Sequence, residues 1–254
     1  GGYKPALWAA ELVAMFFGKK VQNMTTYKGN NSGIDVNAEL KSMTDDNLPR
    51  FINNAPLSVA APPNPGIASR RYIDNKSNTI SINQLVKTDS LTTLTFNLGY
   101  YNDQLRKSGE EISQQYEPVS GKHRSIYKEL KAYNYINSLS AATNYKRNDK
   151  SIYLDNSLNI NTNWNHDNGT AITTGSFTSG KTTVDQNLDN PAIEITDRLS
   201  FIKNSGKHAW EIYLSAGWNH KPQSLSVETG TDEASQSSNL IQNYTTDAVL
   251  ANLF

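Results

Sequence analysis

The residues of this sequence whose types could do chemistry are four histidines, two acid pairs and one oxygen-rich stretch. The histidines are His123, His166, His208 and His220. His166 and His220 each follow an asparagine and stand two residues beyond a tryptophan, in WNHDN and WNHKP. A metal held between two such loops would need close ligand spacing, which is missing, so solvated loop histidines are the simpler reading. NHDNGT (165–170) offers oxygen ligands of the kind calcium takes, without the alternating acids of a calcium-binding loop; turn chemistry is expected there. Asp45-Asp46 and Glu110-Glu111 fall in polar stretches where adjacent acids stay solvated. No G-x-S-x-G, H-E-x-x-H or phosphate-loop pattern occurs. The expectation is a protein that is not an enzyme, with no metal and no cofactor.

The totals narrow the remaining classes. The 254 residues carry zero formal charge, so no global field draws in nucleic acid. Hydrophobic residues make up 37% and mean hydropathy is −0.60, the polarity coming from Asn, Ser and Thr rather than from charge. There are no cysteines, hence no disulfide and no zinc–thiolate site. The longest apolar run, PALWAAELVAMFF (5–17), includes Glu11 and falls short of the ~20 residues a helical membrane span needs. Transmembrane strands need only about 9–11 residues and escape that test. No basic leader precedes GGYKPALW, which reads as a mature form or an internal piece. Five N-x-S/T triplets, at Asn23, Asn30, Asn75, Asn168 and Asn243, are what chance gives in so Asn-, Ser- and Thr-rich a chain.

The elements that must position these residues are strands. SIYLDNSLNINTNWNH (151–166) alternates Ile152, Leu154, Leu158, Ile160 and Trp164 with Asp155, Ser157, Asn159, Asn161 and Asn163, a period of two. The same alternation puts Leu94, Phe96, Leu98 and Tyr100 on one face of a run after residue 90. It recurs with Ile193, Ile195, Leu199 and Phe201, and with Trp210, Ile212, Leu214, Ala216 and Trp218. Four short turn signals separate such runs: Gly18-Lys19-Lys20, Lys87-Thr88-Asp89-Ser90, KRNDK (146–150) and KNSGKH (203–208). Their lysines suit lipid phosphates or, equally, any exposed turn. Residues 29–78, 102–131, 165–192 and 219–246 read as long polar loops, one of them stiffened by APPNPG (61–66). Short turns at one end and long loops at the other, repeated four times, predict an all-β, antiparallel, up-and-down sheet of about eight strands. A ninth begins at YTTDAVLANLF.

Period alone does not say what covers the apolar face. A soluble sheet packs it on a core, a membrane barrel turns it to lipid. Aromatic placement favours lipid, because Trp and Tyr collect where hydrocarbon meets water. Phe16, Phe17, Tyr145, Phe201 and Trp210 lie near the turns; Trp8, Tyr100, Trp164 and Trp218 lie further along. Aromatics also fill ordinary β cores, so both readings stand at this point. In the membrane reading Trp8, Tyr100, Trp164, Phe201, Trp210 and Trp218 mark the interfaces. Leu94, Phe96, Leu98, Leu154, Leu158, Ile160, Ile212 and Leu214 then face lipid.

ELVAMFFGKKVQNMTTYKGNNSG (11–33) resembles the early barrel hairpin of TonB-dependent-receptor-like outer-membrane proteins of the Bacteroidota type. YNYINSLSAATNY and SLNINTNWNHDNGTA resemble the strands that follow in such chains. The resemblance implies a bacterial outer-membrane location, a barrel of 22 antiparallel strands, short periplasmic turns and long extracellular loops. Its partners would be outer-membrane lipid, the remainder of the barrel and its plug, and a surface lipoprotein or other envelope subunit. With about eight strands and no plug-like region, residues 1–254 are expected to be an internal part of one barrel domain. Uptake or binding of a ligand at the cell surface is the expected function. Two alternatives remain: a secreted β-sandwich or solenoid that binds glycan, and a barrel serving an outer-membrane assembly or secretion complex.

Overall fold

The computed structural model describes residues 6–33, 56–67, 71–117, 122–175, 180–231 and 234–253. Nine strands form one antiparallel sheet in strict sequence order: β1 (Ala9–Phe17), β2 (Val21–Asn30), β3 (Asp74–Lys87), β4 (Thr92–Glu117), β5 (Lys122–Asn148), β6 (Ile152–Gly175), β7 (Lys181–Ser205), β8 (His208–Thr231) and β9 (Ala234–Leu253). The up-and-down meander predicted from the turn signals is therefore present, with a full ninth strand. No helix among the described residues is long and apolar enough to cross a membrane, which leaves strand crossings untouched.

The four short turns form where Gly, Lys, Asn and Asp cluster. Gly18 N–H donates to the Val21 carbonyl at 2.7 Å, and Asp149 N–H to the Ile152 carbonyl at 2.8 Å. Gly206 adopts φ 61°, a conformation that glycine reaches without a steric cost. Asp89 accepts from the Leu91 N–H at 2.7 Å and from the Thr92 hydroxyl at 3.2 Å, closing the β3–β4 turn. Successive hairpins are tied together by Lys87 N–H to the Lys20 carbonyl, Asn148 N–H to Leu91 and Asn204 N–H to Ser151.

Strand length departs from expectation. Residues 102–131, 165–192 and 219–246, read as loops, are mostly continuations of the strands. β4 to β8 run 24–27 residues each. Asn and Gly weaken strand propensity, yet a long ladder supplies the backbone hydrogen bonds regardless of side chain, so pairing overrides propensity. NHDNGT accordingly lies within β6 rather than in a turn, and Glu110 and Glu111 lie on β4. Only the β2–β3 connection remains long, and its Asp45-Asp46 pair lies outside the described residues.

Register gives the tilt. The pair closing β1–β2, Phe17–Gln22, aligns through Leu85 with Thr95. Lys87–Thr93 closes β3–β4 two positions lower, and Asn148–Tyr153 lies one position below the Arg147–Thr92 row. Ser205–His208 lies two below the row of Lys203 and Ile152. The closing pairs thus descend seven ladder positions across six strand spacings. With ~3.3 Å per residue and ~4.8 Å between strands, turns that share a plane require strands tilted by about 39°. Closed barrels tilt their strands by about 35–45°.

Directly paired residues share a face, which lets the two faces be named. We call inner the face that holds Asn75, Ser77, Thr79, Asn83, Tyr101, Asp103, Leu130, Ala132, Leu188, Asn219, Gln223 and Leu225, all buried. The other is the outer face. A small apolar core sits on the inner face, where Leu57 meets Leu188 and Leu225, flanked by Val59 and Val227.

Candidate functional site: an apolar belt with aromatic edges

The outer face carries the belt. Leu94, Phe96 and Leu98 lie beside Tyr145, Thr143 and Ala141 of β5. Leu154, Leu158 and Ile160 follow on β6, paired with Phe201, Asp197 and Ile195 of β7. Ile212 and Leu214 of β8 pair with Phe201 and Leu199. Ile80, Ile82 and Val86 of β3 continue the belt toward β2. All nine strands belong to one sheet, and no second layer of described residues covers these side chains. Leu94 and Phe96 are each 39% exposed, Ile212 38% and Leu214 40%; Leu98, Leu154, Leu158 and Ile160 are half-buried by their neighbours in the sheet.

Aromatic rings stand at both margins. Near the turns, Phe16, Tyr145, Phe201 and Trp210 are on the outer face. Phe17 is on the inner face, opposite Gln22, because it is one residue out of phase with Phe16. At the other margin the Tyr100 and Trp164 rings stack at 6.2 Å, and Trp218 stacks on His220 at 6.2 Å with the planes 2° apart. Trp8 precedes β1; its backbone N–H donates to Asn31 at 2.6 Å, and its ring covers Gly29, where a Cβ would come within 2.9 Å of the ring edge. Trp210 and Trp218 are about 20 Å apart along the sheet axis at the tilt above.

Above the row Ile80–Tyr100–Leu139–Thr162–Ile193 the faces exchange character. Outer positions become mostly polar, with Asn78, Asn102, Gln104, Arg106, Asn137, His166, Asn168, Asp185, Asn187, Asp189, Ser224 and Ser226 beside the aromatics Tyr133, Tyr135 and Trp164 and the aliphatic Ile172. Inner positions gain apolar residues, Tyr101, Leu105, Leu130, Ala132, Leu188, Leu225 and Val227, among polar ones such as Asn75, Ser77, Asp103, Asp167 and Gln223. In β7 the apolar residues switch from even (Val184, Leu188) to odd (Ile193, Ile195), and in β8 from even (Leu214, Trp218) to odd (Leu225, Val227).

The histidines gain partners that sequence spacing could not show. His166 Nδ1 lies 2.6 Å from Asp189, and His220 Nδ1 lies 2.6 Å from Asp247, each acid directly across the ladder. Both pairs stand on outer strand faces just above the tryptophan margin, so these histidines are not loop residues. They are too far apart in the ladder to share an ion. Among the described residues no group of three or more His, Cys, Asp or Glu side chains is placed to hold a metal. The His123 side chain lies outside the described residues; His208 opens β8 beside its turn.

Asp197 and Asn156 are polar residues within the belt. Asp197 faces outward between Leu158 and Ala216 and accepts a hydrogen bond from the Asn156 amide at 2.8 Å. That amide also donates to the Arg198 carbonyl at 3.1 Å.

Behind the belt the inner face is amide-rich. Asn97, Asn159, Asn161, Asn163, Asn219 and Gln223 stand in neighbouring rows with Ser138, Ser140, Thr196 and Glu194. Asn83, Asp103, Asn159, Asn163, Asn219 and Gln223 each keep a buried nitrogen or oxygen without a partner among the described residues. Higher up, burial pushes the Asp167 carboxyl above the usual carboxylate range, against the opposing pull of the Asn134 amide at 2.8 Å and of His166. No protein-family model matches this chain, and no curated protein matches it.

Proposed function

We propose that these nine strands are part of the wall of a bacterial outer-membrane β-barrel. The observation that carries this reading is the exchange of faces. A sheet that passes from hydrocarbon into water should turn apolar residues outward in the first medium and inward in the second. The belt is bounded by aromatics, stands about 20 Å high between Trp210 and Trp218, and belongs to strands tilted by about 39°. Those values suit a transmembrane barrel, whose apolar band is ~25 Å tall and whose strands tilt by ~35–45°. Strands of 24–27 residues exceed one crossing, so their upper halves would project from the membrane as an extension of the sheet in place of the long polar loops expected from sequence.

The edges support a larger barrel. In an up-and-down sheet of nine strands, β1 and β9 run in the same direction. Direct closure would need a parallel seam, whereas an odd number of added strands closes the wall antiparallel with an even total, the bacterial pattern. Open edges are not tolerated in hydrocarbon, where unpaired backbone groups cost several kcal/mol each. The amide-rich inner face would line a wet lumen or meet a plug. In this reading the chain serves ligand uptake or binding at the cell surface, as in the TonB-dependent-receptor-like proteins it resembles. A soluble sandwich would need a second sheet over Leu94, Phe96, Ile212 and Leu214.

The test is solvent dependence. The protein should need detergent or lipid to stay monodisperse, and brominated acyl chains should quench its belt-margin tryptophans. Cooperative unfolding of a monodisperse species in plain buffer would overturn the proposal.

A further inference from the structure

The β2–β3 connection sends one segment back across the inner face. Leu57 is buried against Leu188 and Leu225. Ala60 N–H donates to the Gln186 side chain at 2.6 Å. A Cβ on Gly169 would lie 2.8 Å from both the Val59 Cβ and the Ala60 carbonyl, and one on Gly109 would lie 2.9 Å from the Pro62 Cβ. The segment therefore crosses from β8 to β4, perpendicular to the strands, just above the belt. Lys107, Ala132, Gly169, Gln186 and Val227 form a single ladder row beneath it, and Ala132 is 0% exposed.

Two features set this segment apart from the wall. Pro62, Pro63 and Pro65 hold its far end extended and Pro56 precedes the Leu57 anchor, so the short stretch between is fixed at both ends and behaves as a bar. Its hold is slight beside that of any strand: one buried leucine, Val59 in part, and one described hydrogen bond to the wall, while Pro56, Ser58, Ala61 and Pro63 stay exposed. Segments with few buried apolar groups and few protected hydrogen bonds open at the low end of a protein's free-energy range.

We propose that Leu57–Pro62 is a latch: a stiff bar that docks as a unit over the glycine-cleared row and, by undocking, opens the inner face from the end opposite the short turns. Release turns on Leu57, since losing that anchor leaves the segment with one described hydrogen bond to the wall and the partial packing of Val59 and Pro62. Gly109 and Gly169 matter because any larger residue there would hold the bar off the wall. This inference goes beyond the proposed function and does not depend on what covers the outer face.

The natural chain has no cysteine, so a single introduced thiol is a clean reporter. Ala132→Cys places it under the bar, and Glu228→Cys places a control on the exposed outer face. A charged maleimide should label the Ala132→Cys protein to completion under native conditions, at least ~10-fold more slowly than the control, because reaction waits for opening. Leu57→Ser and, independently, Gly169→Val should each bring that rate to within about threefold of the control, leaving the control rate unchanged. Leu57→Met should stay near the parent. Fast labelling of the parent would show that the bar is not docked. Slow labelling in both variants would show that it does not govern access, and a parent that never labels under native conditions would show a fixed strut. Each of these three results overturns the latch.

Discussion

Replacing Leu214 with arginine is the sharpest test of which medium meets the outer face. Leu214 lies on β8 midway between Trp210 and Trp218, four residues from each, or about 10 Å from either margin at the ~39° tilt that the register requires of turns in one plane. Its ladder partners are Leu199 and Leu253, so no acid lies directly across from it. Near the midplane of a bilayer, arginine on the lipid face of a barrel costs about 2–4 kcal/mol. At 1.4 kcal/mol per tenfold, that is a fall of ~30- to 700-fold in the folding equilibrium. If the outer face meets water, the same change alters a 40%-exposed surface position, where substitutions stay within ~0.5 kcal/mol. Asn159→Arg is the matched control. It lies on the inner face between Ala142 and Thr196; if that face lines a wet lumen as proposed, the charge stays solvated and the change should cost well under 1 kcal/mol. Reversible urea unfolding in lipid vesicles, followed by tryptophan fluorescence, measures both. Equal costs, or a neutral Leu214→Arg, would refute the assignment of faces.

Three further outcomes are expected. Leu158→Arg, also in the belt, should cost about 1 kcal/mol less than Leu214→Arg because Asp197 stands directly opposite, and the difference should vanish in an Asp197→Asn background, as a double-mutant cycle would show. Asp167, raised by burial, binds its proton more tightly when folded than when unfolded; its stabilising share is complete below the ordinary carboxylate range and is lost as pH rises through the folded value. Asp167→Asn should therefore raise the melting midpoint at neutral pH and flatten its pH dependence above the carboxylate range. Asp89 has the opposite sign: the Leu91 N–H, and behind it the Thr92 hydroxyl, hold its carboxyl below the usual range, so its contribution is present at neutral pH and lost as acid is added through that lowered value. Amide exchange at Leu91 should then rise on acidification relative to a peptide reference, and Asp89→Asn should remove that relative rise.

Much of this fold was legible from the sequence because strand period and turn chemistry are local. The four short turns sit where Gly, Lys, Asn and Asp cluster, and the alternation of Leu94 to Tyr100 or Trp210 to Trp218 marks a face without any partner being known. Strand ends were not legible. Beyond Trp164 and Trp218 the composition turns to Asn, Asp, Gly and Thr, which locally reads as loop; the strands continue because neighbours at fixed register supply the ladder. The same nonlocality hid Asp189 and Asp247 from the histidines they bind, since a pairing sum, unlike a spacing, cannot be read from one strand. The bar at Leu57 was hidden for a third reason: APPNPG predicts stiffness but carries no address, and its docking site is written in Gly109 and Gly169, two strands apart.

One signal was available and is the more informative for being local. The parity of apolar residues slips by one between Leu188 and Ile193, and again between Trp218 and Leu225. Direct pairing lapses between Asp189–Ser224 and Ile193–His220, yet the register is the same on both sides: Leu188 faces Leu225, and Ile193 faces His220. A bulge would change parity by shifting the backbone. Here the backbone keeps its phase and the side-chain chemistry changes sides. On the inner face the exchange is met from within the protein, where Leu57 and Val59 pack on Leu188, Leu225 and Val227. On the outer face the proposed passage from lipid to water would account for it, because the lower half would display apolar groups that the upper half would not. The level at which the sign changes, at Tyr100, Trp164 and Trp218, is also where rings with one apolar body and one polar edge collect, and each of those positions would be the costliest at which to put a purely apolar or a purely charged side chain.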